Sequence, residues 1–339
     1  MEIRKIAKLA GVSHMTVSNV INNKGRMSLK TREKVMRVMK EEDYYPNEAA
    51  RVLSTGKKDV IAFVSPRLAS PFISEVLAAI EDRAFEMNRY VYGIEHFSTR
   101  RIETAGEELL NRLLFSKKVS AVIVLSIQPG VEVVMKYRQK GVPLILLESS
   151  VIGAHSVRTD NVKAAFEAVD YLAKNGKKRI GVIAGRQIIA ANEELMPTSL
   201  ERLKGYMDAL RANNLTFEPG FVEESADYSF EDGVRALDSF IAKKTGLDAL
   251  FCPAGDITAM GVMSRAKELG IKIPEDLAII GYDDTLAAKL LSPALTTVRQ
   301  PVRDMGRMAF DLALEAMQQE IKEDKIINLQ AELVIRKSA

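Results

Sequence analysis

The chain has 339 residues, 47% of them hydrophobic and 27% charged, with a net charge of +3, the composition of an ordinary globular protein with room for two or three domains. No apolar run reaches the roughly 20 residues of a membrane span, and the basic start MEIRKIAKLAG lacks the apolar stretch and cleavage site of a secretory leader. The single cysteine, Cys252 in ALFCPAG, excludes an internal disulfide, fits a reducing cytoplasm and reads as a buried core thiol.

The charge is unevenly spread. Residues 1–58 hold 13 Lys and Arg against 6 Asp and Glu, whereas the remainder holds 35 against 39. A basic amino-terminal module on a mildly acidic body suits a segment that meets phosphates joined to one that does not, although solvated lysines alone also give that split.

In chain order, the first organised stretch is IAKLAGVSHMTVSNVI, residues 6–21. Ile6, Ala7, Leu9 and Ala10 put small and apolar groups on one face of a short helix. Gly11-Val12-Ser13 breaks it, because glycine tolerates the positive φ of a tight turn and Ser13 can cap a second helix. Val17, Val20 and Ile21 give that helix an apolar edge facing the first. The opposite edge carries His14, Met15, Ser18 and Asn19, all able to touch base edges from a major groove. The pattern is a helix-turn-helix; on these residues alone, a solvated helical hairpin capping a larger domain stays open.

After the turn signal Asn22-Asn23-Lys24-Gly25, Ser28 can cap a third helix to about Glu42, with Val35, Val38 and Met39 as its buried stripe. Lys30, Arg32, Lys34 and Arg37 supply charge at phosphate range. Pro46 ends this structure, and Asn47 can cap a short helix, EAARVLS, before the linker at 55–59. About two turns are too few to be stable alone. Either the helix folds against a partner, with its alanines letting two copies approach and Leu53 wedging between base steps, or it packs on the body as a linker helix.

The blocks IRKIAKLAGVSHMTVSNVIN, TREKV and YYPNEAARVL closely resemble the headpiece and hinge of the lac repressor (LacI/GalR) family of bacterial transcription regulators. That resemblance implies a second helix that reads the major groove through His14, Met15 and Asn19. It implies mainly phosphate contacts from Ser13, Thr16, Ser18 and Asn47, and a hinge helix that pairs with its twin in the minor groove, with Ala50 at the approach and Leu53 as the wedge. Position 19, usually Arg in that family, is Asn here.

From Asp59 the pattern changes to short apolar runs alternating with amphipathic helices. Expected strands are 60–64, 90–94, 121–125, 143–147, 179–183, 249–252 and 277–282; expected helices lie near 72–88, 100–115, 131–140, 161–175, 199–212, 230–243, 256–269 and 301–319. Such alternation argues for doubly wound parallel sheets in two lobes, with a ligand cleft at the carboxyl ends of the strands. The expected fold is a small all-α helix-turn-helix headpiece (1–46), a hinge (47–58) and a two-lobed α/β body (59–339) like the periplasmic binding proteins. Lobe 1 is expected at about 59–158 plus 299–325, and lobe 2 at about 159–298 plus 326–339.

The body's motifs SPFI, SVRTDN, ERLKGY, GYDD and LTTVRQP are similar to the effector domain of the same family. In that likeness Arg202 and Asp283 line the pocket, and a planar fork of donors with paired acceptors can clamp vicinal hydroxyls. Tyr228 and Phe72 offer aromatic surface for the ligand's apolar face, and Glu148 and Asp256 are acidic groups at strand ends. Gly255 and Ser70 stand where the family often has Asn, so a ligand hydrogen bond is in doubt there.

No phosphate-cradling glycine motif, nucleophile elbow or metal-spaced His/Cys cluster is visible, so neither a cofactor, a metal nor an enzyme is expected. The chain ends at IRKSA without a heptad-bearing helix. The reading is a cytoplasmic, ligand-responsive repressor of carbohydrate metabolism genes that binds pseudo-palindromic operator DNA as a homodimer, with a sugar as effector. The alternatives are a regulator whose corepressor is a purine or a partner protein and, outside regulation, a solute-binding protein.

Overall fold

The computed structural model of the chain describes residues 3–21, 27–44, 60–66, 68, 70–87, 93–99, 103–116, 118–186, 197–318 and 323–339. The expected hinge, with Asn47, Ala50 and Leu53, lies outside the described residues. The chain divides into two compact units, residues 1–58 and 59–339.

The first unit packs three helices, α1 (Ile3–Ala10), α2 (His14–Ile21) and α3 (Leu29–Glu41), around Ile6, Ala7, Ala10, Val17, Val20, Val35 and Met39. These positions recur every three or four residues, which brings one stripe of each helix to the shared centre. Leu9, expected on that stripe, points outward and is 48% exposed. The turn between α1 and α2 uses Gly11 at φ 61°, and the Val12 amide closes back onto the Ala7 carbonyl at 3.0 Å. Ser13 Oγ accepts from the Thr16 amide at 3.0 Å and Ser28 Oγ from the Thr31 amide at 3.2 Å, so both following helices begin on a hydroxyl cap.

The second unit holds two six-stranded sheets. The first uses β1 (Val60–Ser65), β2 (Gly93–Ser98), β3 (Ala121–Leu125), β4 (Leu144–Leu147), β5 (His155–Thr159) and β11 (Ile326–Leu329), in the order β11-β5-β4-β3-β1-β2. The second uses β6 (Ile180–Gly185), β7 (Val222–Ser225), β8 (Ala249–Phe251), β9 (Ala278–Tyr282), β10 (Thr296–Arg299) and β12 (Glu332–Val334), in the order β12-β10-β9-β8-β6-β7. All pairings are parallel except that of β12 with β10.

Helices cover both faces of each sheet, which is why the central strands are apolar on both sides. Along β1, Ile61 and Phe63 pack with α4 (Pro71–Glu86) and α12 (Val302–Gln318), while Ala62 and Val64 pack with α5 (Glu103–Ser116) and α6 (Val131–Lys140). Along β6, Ile180 and Val182 face α7 (Asn161–Lys174) and α8 (Pro197–Ala212), and Ile183 faces α9 (Phe230–Ala242) and α10 (Asp256–Glu268). Cys252 is buried in this last cluster, as its apolar neighbours implied. Among the described residues no helix is long and apolar enough to cross a membrane.

Four features depart from the expected pattern. The strand expected at 90–94 lies at 93–98, where β1 pairs Val60 with Gly93 and Ser65 with Ser98. Its polar sequence, GIEHFS, suits an edge strand with β1 on one side only. Strands β5, β7 and β10 carry too many polar residues to stand out as apolar runs, and they form because a neighbouring strand supplies their ladder. A short helix, α11 (Leu286–Leu290), follows the second sheet's β9. Lastly, the carboxyl-terminal strands do not form a pair within lobe 2. Residues 326–329 join the first sheet beside β5, and only 332–334 reach the second. The chain therefore crosses between lobes at 159–161, 299–302 and 329–332.

Candidate functional site

The turns leaving the carboxyl ends of the strands carry a set of unusual backbone conformations. Glu148 follows β4 at φ 61°, Tyr228 lies between β7 and α9 at φ 53°, and Asp283 and Asp284 follow β9 at φ 104° and 52°. A non-glycine residue held there costs about 1–3 kcal/mol, so its surroundings must over-determine it. Such outliers mark where the fold yields stability to hold a particular side chain.

Arg202, on α8, is held at every nitrogen. Nε donates to Asn161 Oδ1 at 2.8 Å, one terminal nitrogen donates to the Pro253 carbonyl at 2.9 Å, and the other stands 3.8 Å from Glu148 Oε2. Its guanidinium lies over the Tyr282 ring, with Cζ 3.8 Å from the ring centroid. The Tyr282 hydroxyl donates to the same Asn161 Oδ1 at 3.1 Å. Glu148, fully enclosed, accepts from the Thr159 amide at 2.9 Å and from Asn161 Nδ2 at 3.3 Å. Glu148 of the first lobe and Arg202 of the second thus meet through Asn161, which begins α7 at a lobe crossing.

Asp283 stands beside this cluster. Its Oδ1 accepts from Gln300 Nε2 at 2.6 Å, and its Oδ2 lies 3.1 Å from where a Cβ on Gly255 would sit. Gly255 itself adopts φ 122°, so a side chain at 255 would be both strained and crowded against that carboxylate. Gln300 is 4% exposed and sits on the crossing between β10 and α12.

Asp256 bonds to the protein itself through both carboxylate oxygens. It is fully buried at the start of α10, with Oδ1 accepting from the Thr297 hydroxyl at 2.6 Å and Oδ2 from the Thr285 amide at 2.7 Å. The two oxygens tie the start of α10 to strand β10 and to the turn after β9. Phe72 is half-buried in the first turn of α4 and packs on the first lobe's core. Tyr228 is half-buried, and its phenolic oxygen accepts from the Arg186 amide at 3.0 Å. The structure therefore brings together Glu148, Arg202 and Asp283, and adds Asn161, Tyr282 and Gln300, none of which the sequence reading selected. All three stand inside the family-like blocks SVRTDN, GYDD and LTTVRQP, and membership of a block was the only signal.

Burial governs the charges. It pushes the Asp283 carboxyl up to about 7 and Asp256 to about 6, against the pull of Arg202 on the first and of Thr297 and Thr285 on the second. Burial also raises Glu148, with Arg202 opposing. Burial works to lower Arg202, but Tyr282, Asp283, Glu148 and Tyr228 raise it on balance, so the guanidinium stays charged. A permanent cation flanked by buried acceptors, with an aromatic face beside it, has the chemistry to orient hydroxyl groups of a small polar molecule. Among the described residues no group of three or more His, Cys, Asp or Glu is placed to hold a metal ion.

In the headpiece, Ser13 and Thr16 bond to each other at 2.9 Å at the start of α2. His14 and Met15 are exposed, Ser18 and Asn19 are half-buried, and Val17 and Val20 face inward. The four polar-edge residues thus lie together on the outer side of α2, as their spacing implied.

Comparison with known proteins covers both units. Residues 2–47 match the family model described as bacterial regulatory proteins, lacI family, and residues 169–339 match a periplasmic binding protein-like domain. The chain is 30% identical to the HTH-type transcriptional repressor CytR of Escherichia coli (strain K12), over 99% of this chain and 95% of that protein. It is 31% identical to the HTH-type transcriptional repressor PurR of Vibrio campbellii (strain ATCC BAA-1116), over 98% and 97%. Among solved structures it is similar to the lac repressor dimer bound to operator and the anti-inducer ONPF, with a TM-score of 0.83 and 26% identity over 100% of this chain and 98% of that one. With its helix-turn-helix and its two-lobed body both matched, the chain belongs to the lacI family of bacterial regulatory proteins.

Proposed function

We propose that this protein is a cytoplasmic, non-enzymatic repressor of carbohydrate metabolism genes, whose affinity for a pseudo-palindromic operator is set by a sugar in the interlobe cleft. The observation that carries the reading is the cluster of Arg202, Glu148 and Asp283 at the strand ends, where one lobe's cation meets the other lobe's carboxylate through Asn161. A ligand whose hydroxyls engage Arg202 and Asp283 competes with the Arg202–Glu148 contact, and so shifts how the lobes are held together. A homodimer fits because two headpieces read two half-sites of like symmetry. His14, Met15 and Asn19 are the base readers, Ser13, Thr16, Ser18 and Asn47 contact phosphates, and Ala50 and Leu53 act in the minor groove. In the cleft, Phe72 and Tyr228 flank the ligand.

The test is selection of bound duplexes from a random pool by the full-length protein, with and without a panel of sugars and nucleobases. The expected result is a palindromic consensus whose recovery changes with one sugar. Recovery that responds only to a nucleobase overturns the sugar assignment, and no enrichment under any condition overturns the DNA-binding reading. By linkage, the ligand that weakens operator binding must itself bind the operator complex less tightly by the same factor.

A further inference from the structure

Helix α2 stands apart in composition from the rest of the headpiece. Its eight residues, HMTVSNVI, include no Lys, Arg, Asp or Glu, although residues 1–58 hold 13 Lys and Arg. The headpiece cations described in the structure stand on the two other helices: Arg4, Lys5 and Lys8 on α1, and Lys30, Arg32, Lys34, Arg37 and Lys40 on α3. They surround the reading helix without being part of it.

That separation has a consequence for which base is read. In the major groove guanine presents two acceptors, N7 and O6, and is grasped by a side chain with two donors, Arg or Lys. Helix α2 has neither. Adenine presents the N7 acceptor and the N6 donor, which match a planar amide with one donor and one acceptor. Asn19 is the one amide on α2, and its side chain bonds to no other described residue. Ser13 and Thr16 bond to each other at the start of the helix, and a hydroxyl has no pair of planar groups with which to bind a base in bidentate fashion. His14 offers a single-point contact, which N7 of either purine can meet. Met15 is 69% exposed, stands one turn before Asn19 on the same ridge, and presents an apolar surface suited to a thymine methyl.

We propose that Asn19 is a specificity-determining residue of the DNA-reading face, binding an adenine in bidentate fashion, so that each operator half-site carries an A·T pair at the position it reads. Phosphate-range cations on α1 and α3 supply affinity that does not depend on sequence. The inference rests on the DNA-binding reading above.

The experiment is selection from a random duplex pool by full-length wild type, Asn19→Arg and Asn19→Ala, followed by titration of the recovered wild-type duplex. The wild type should select A·T at one symmetric position, and Asn19→Arg should move that position to G·C with the rest of the consensus kept. Asn19→Ala should lose the preference there and bind the wild-type duplex about ten-fold more weakly, whereas Lys34→Ala should weaken all duplexes alike. If wild type and Asn19→Arg select the same base at every position, the inference is overturned while the DNA-binding reading stands. A loss in Asn19→Ala that is equal on every duplex overturns it as well. No enrichment by the wild type overturns both.

Discussion

The first and second lobes repeat one strand order, yet they contribute unequally to the cluster around Arg202. The second lobe supplies Arg202, Tyr282 and Asp283, while the first contributes Glu148 from the turn after β4. Their last strands also differ, with β11 parallel to its neighbour and β12 antiparallel. Packing can be duplicated because it needs only apolar runs of the right length. A binding site for an asymmetric molecule cannot, since each functional group must meet a different atom. In the Arg202 cluster the second lobe thus holds the cation and its aromatic face, and the first lobe meets them with the Glu148 carboxylate.

Three expected outcomes break or sharpen this contrast. The largest concerns helix packing. Gly261 on α10 would place a Cβ 1.9 Å from the Phe230 carbonyl, whereas Gly306 on α12 would place one 2.7 Å from the Ala79 Cβ and the Val76 carbonyl. Gly261→Ala should cost more than about 3 kcal/mol and Gly306→Ala about 1–2 kcal/mol, read by urea unfolding. Equal losses would erase the difference between the lobes at this level.

The next separates scaffold from site within the second lobe. Asp256→Ala strands the Thr285 amide and the Thr297 hydroxyl and should cost about 2 kcal/mol, with the effector response retained in the surviving folded protein. Asp283→Ala strands only the Gln300 amide, should cost about 1 kcal/mol, and should abolish the response of operator binding to the sugar. A response that survives Asp283→Ala and fails in Asp256→Ala would reverse the two assignments.

The smallest is a pH slope. Folded Asp283 and Asp256 hold their protons up to about 7 and about 6, whereas the unfolded chain releases them near the ordinary value of about 3.9. Between those limits the folded state binds more protons, so stability is greatest below pH 4 as far as these two groups are concerned and declines as pH rises through 6 and 7. His96 and His155, lowered by burial, act in the opposite sense over this range, so the readout is the difference between wild type and Asp283→Asn. Urea midpoints at half-unit pH steps from 5 to 7 should fall more steeply in wild type than in Asp283→Asn, and identical slopes would contradict the raised titration of Asp283.

Much of this architecture is legible in the residues. The apolar stripe of α1–α3, the serine caps and the central strands β1, β3, β4, β6, β8 and β9 follow from local periodicity and turn chemistry. The strands that escaped notice, β5, β7 and β10, are half polar, and their identity comes from the neighbour that completes their ladder. The carboxyl-terminal strands are a sharper case, because nothing within 326–334 says that its two halves belong to different sheets. Arg202 and Asp283 were selected by motif, whereas Glu148 and Asp256 were selected as acidic groups at strand ends. Their hydrogen-bond partners separate the last two, since Glu148 stands by Arg202 and Asp256 bonds to Thr285 and Thr297.

The sequence by itself determined the helix-turn-helix, the alternating α/β body, the family and the composition of α2, because each depends on residues near one another in the chain or on blocks matched in order. The tertiary structure alone decided which polar side chains meet. Asn161, Tyr282 and Gln300 converge on Arg202 and Asp283 from three separate elements, and the partners of one such bond, Tyr282 and Asn161, stand 121 residues apart along the chain. Hydrogen bonds and buried charges act over a few ångströms of space, and sequence separation carries no record of that distance.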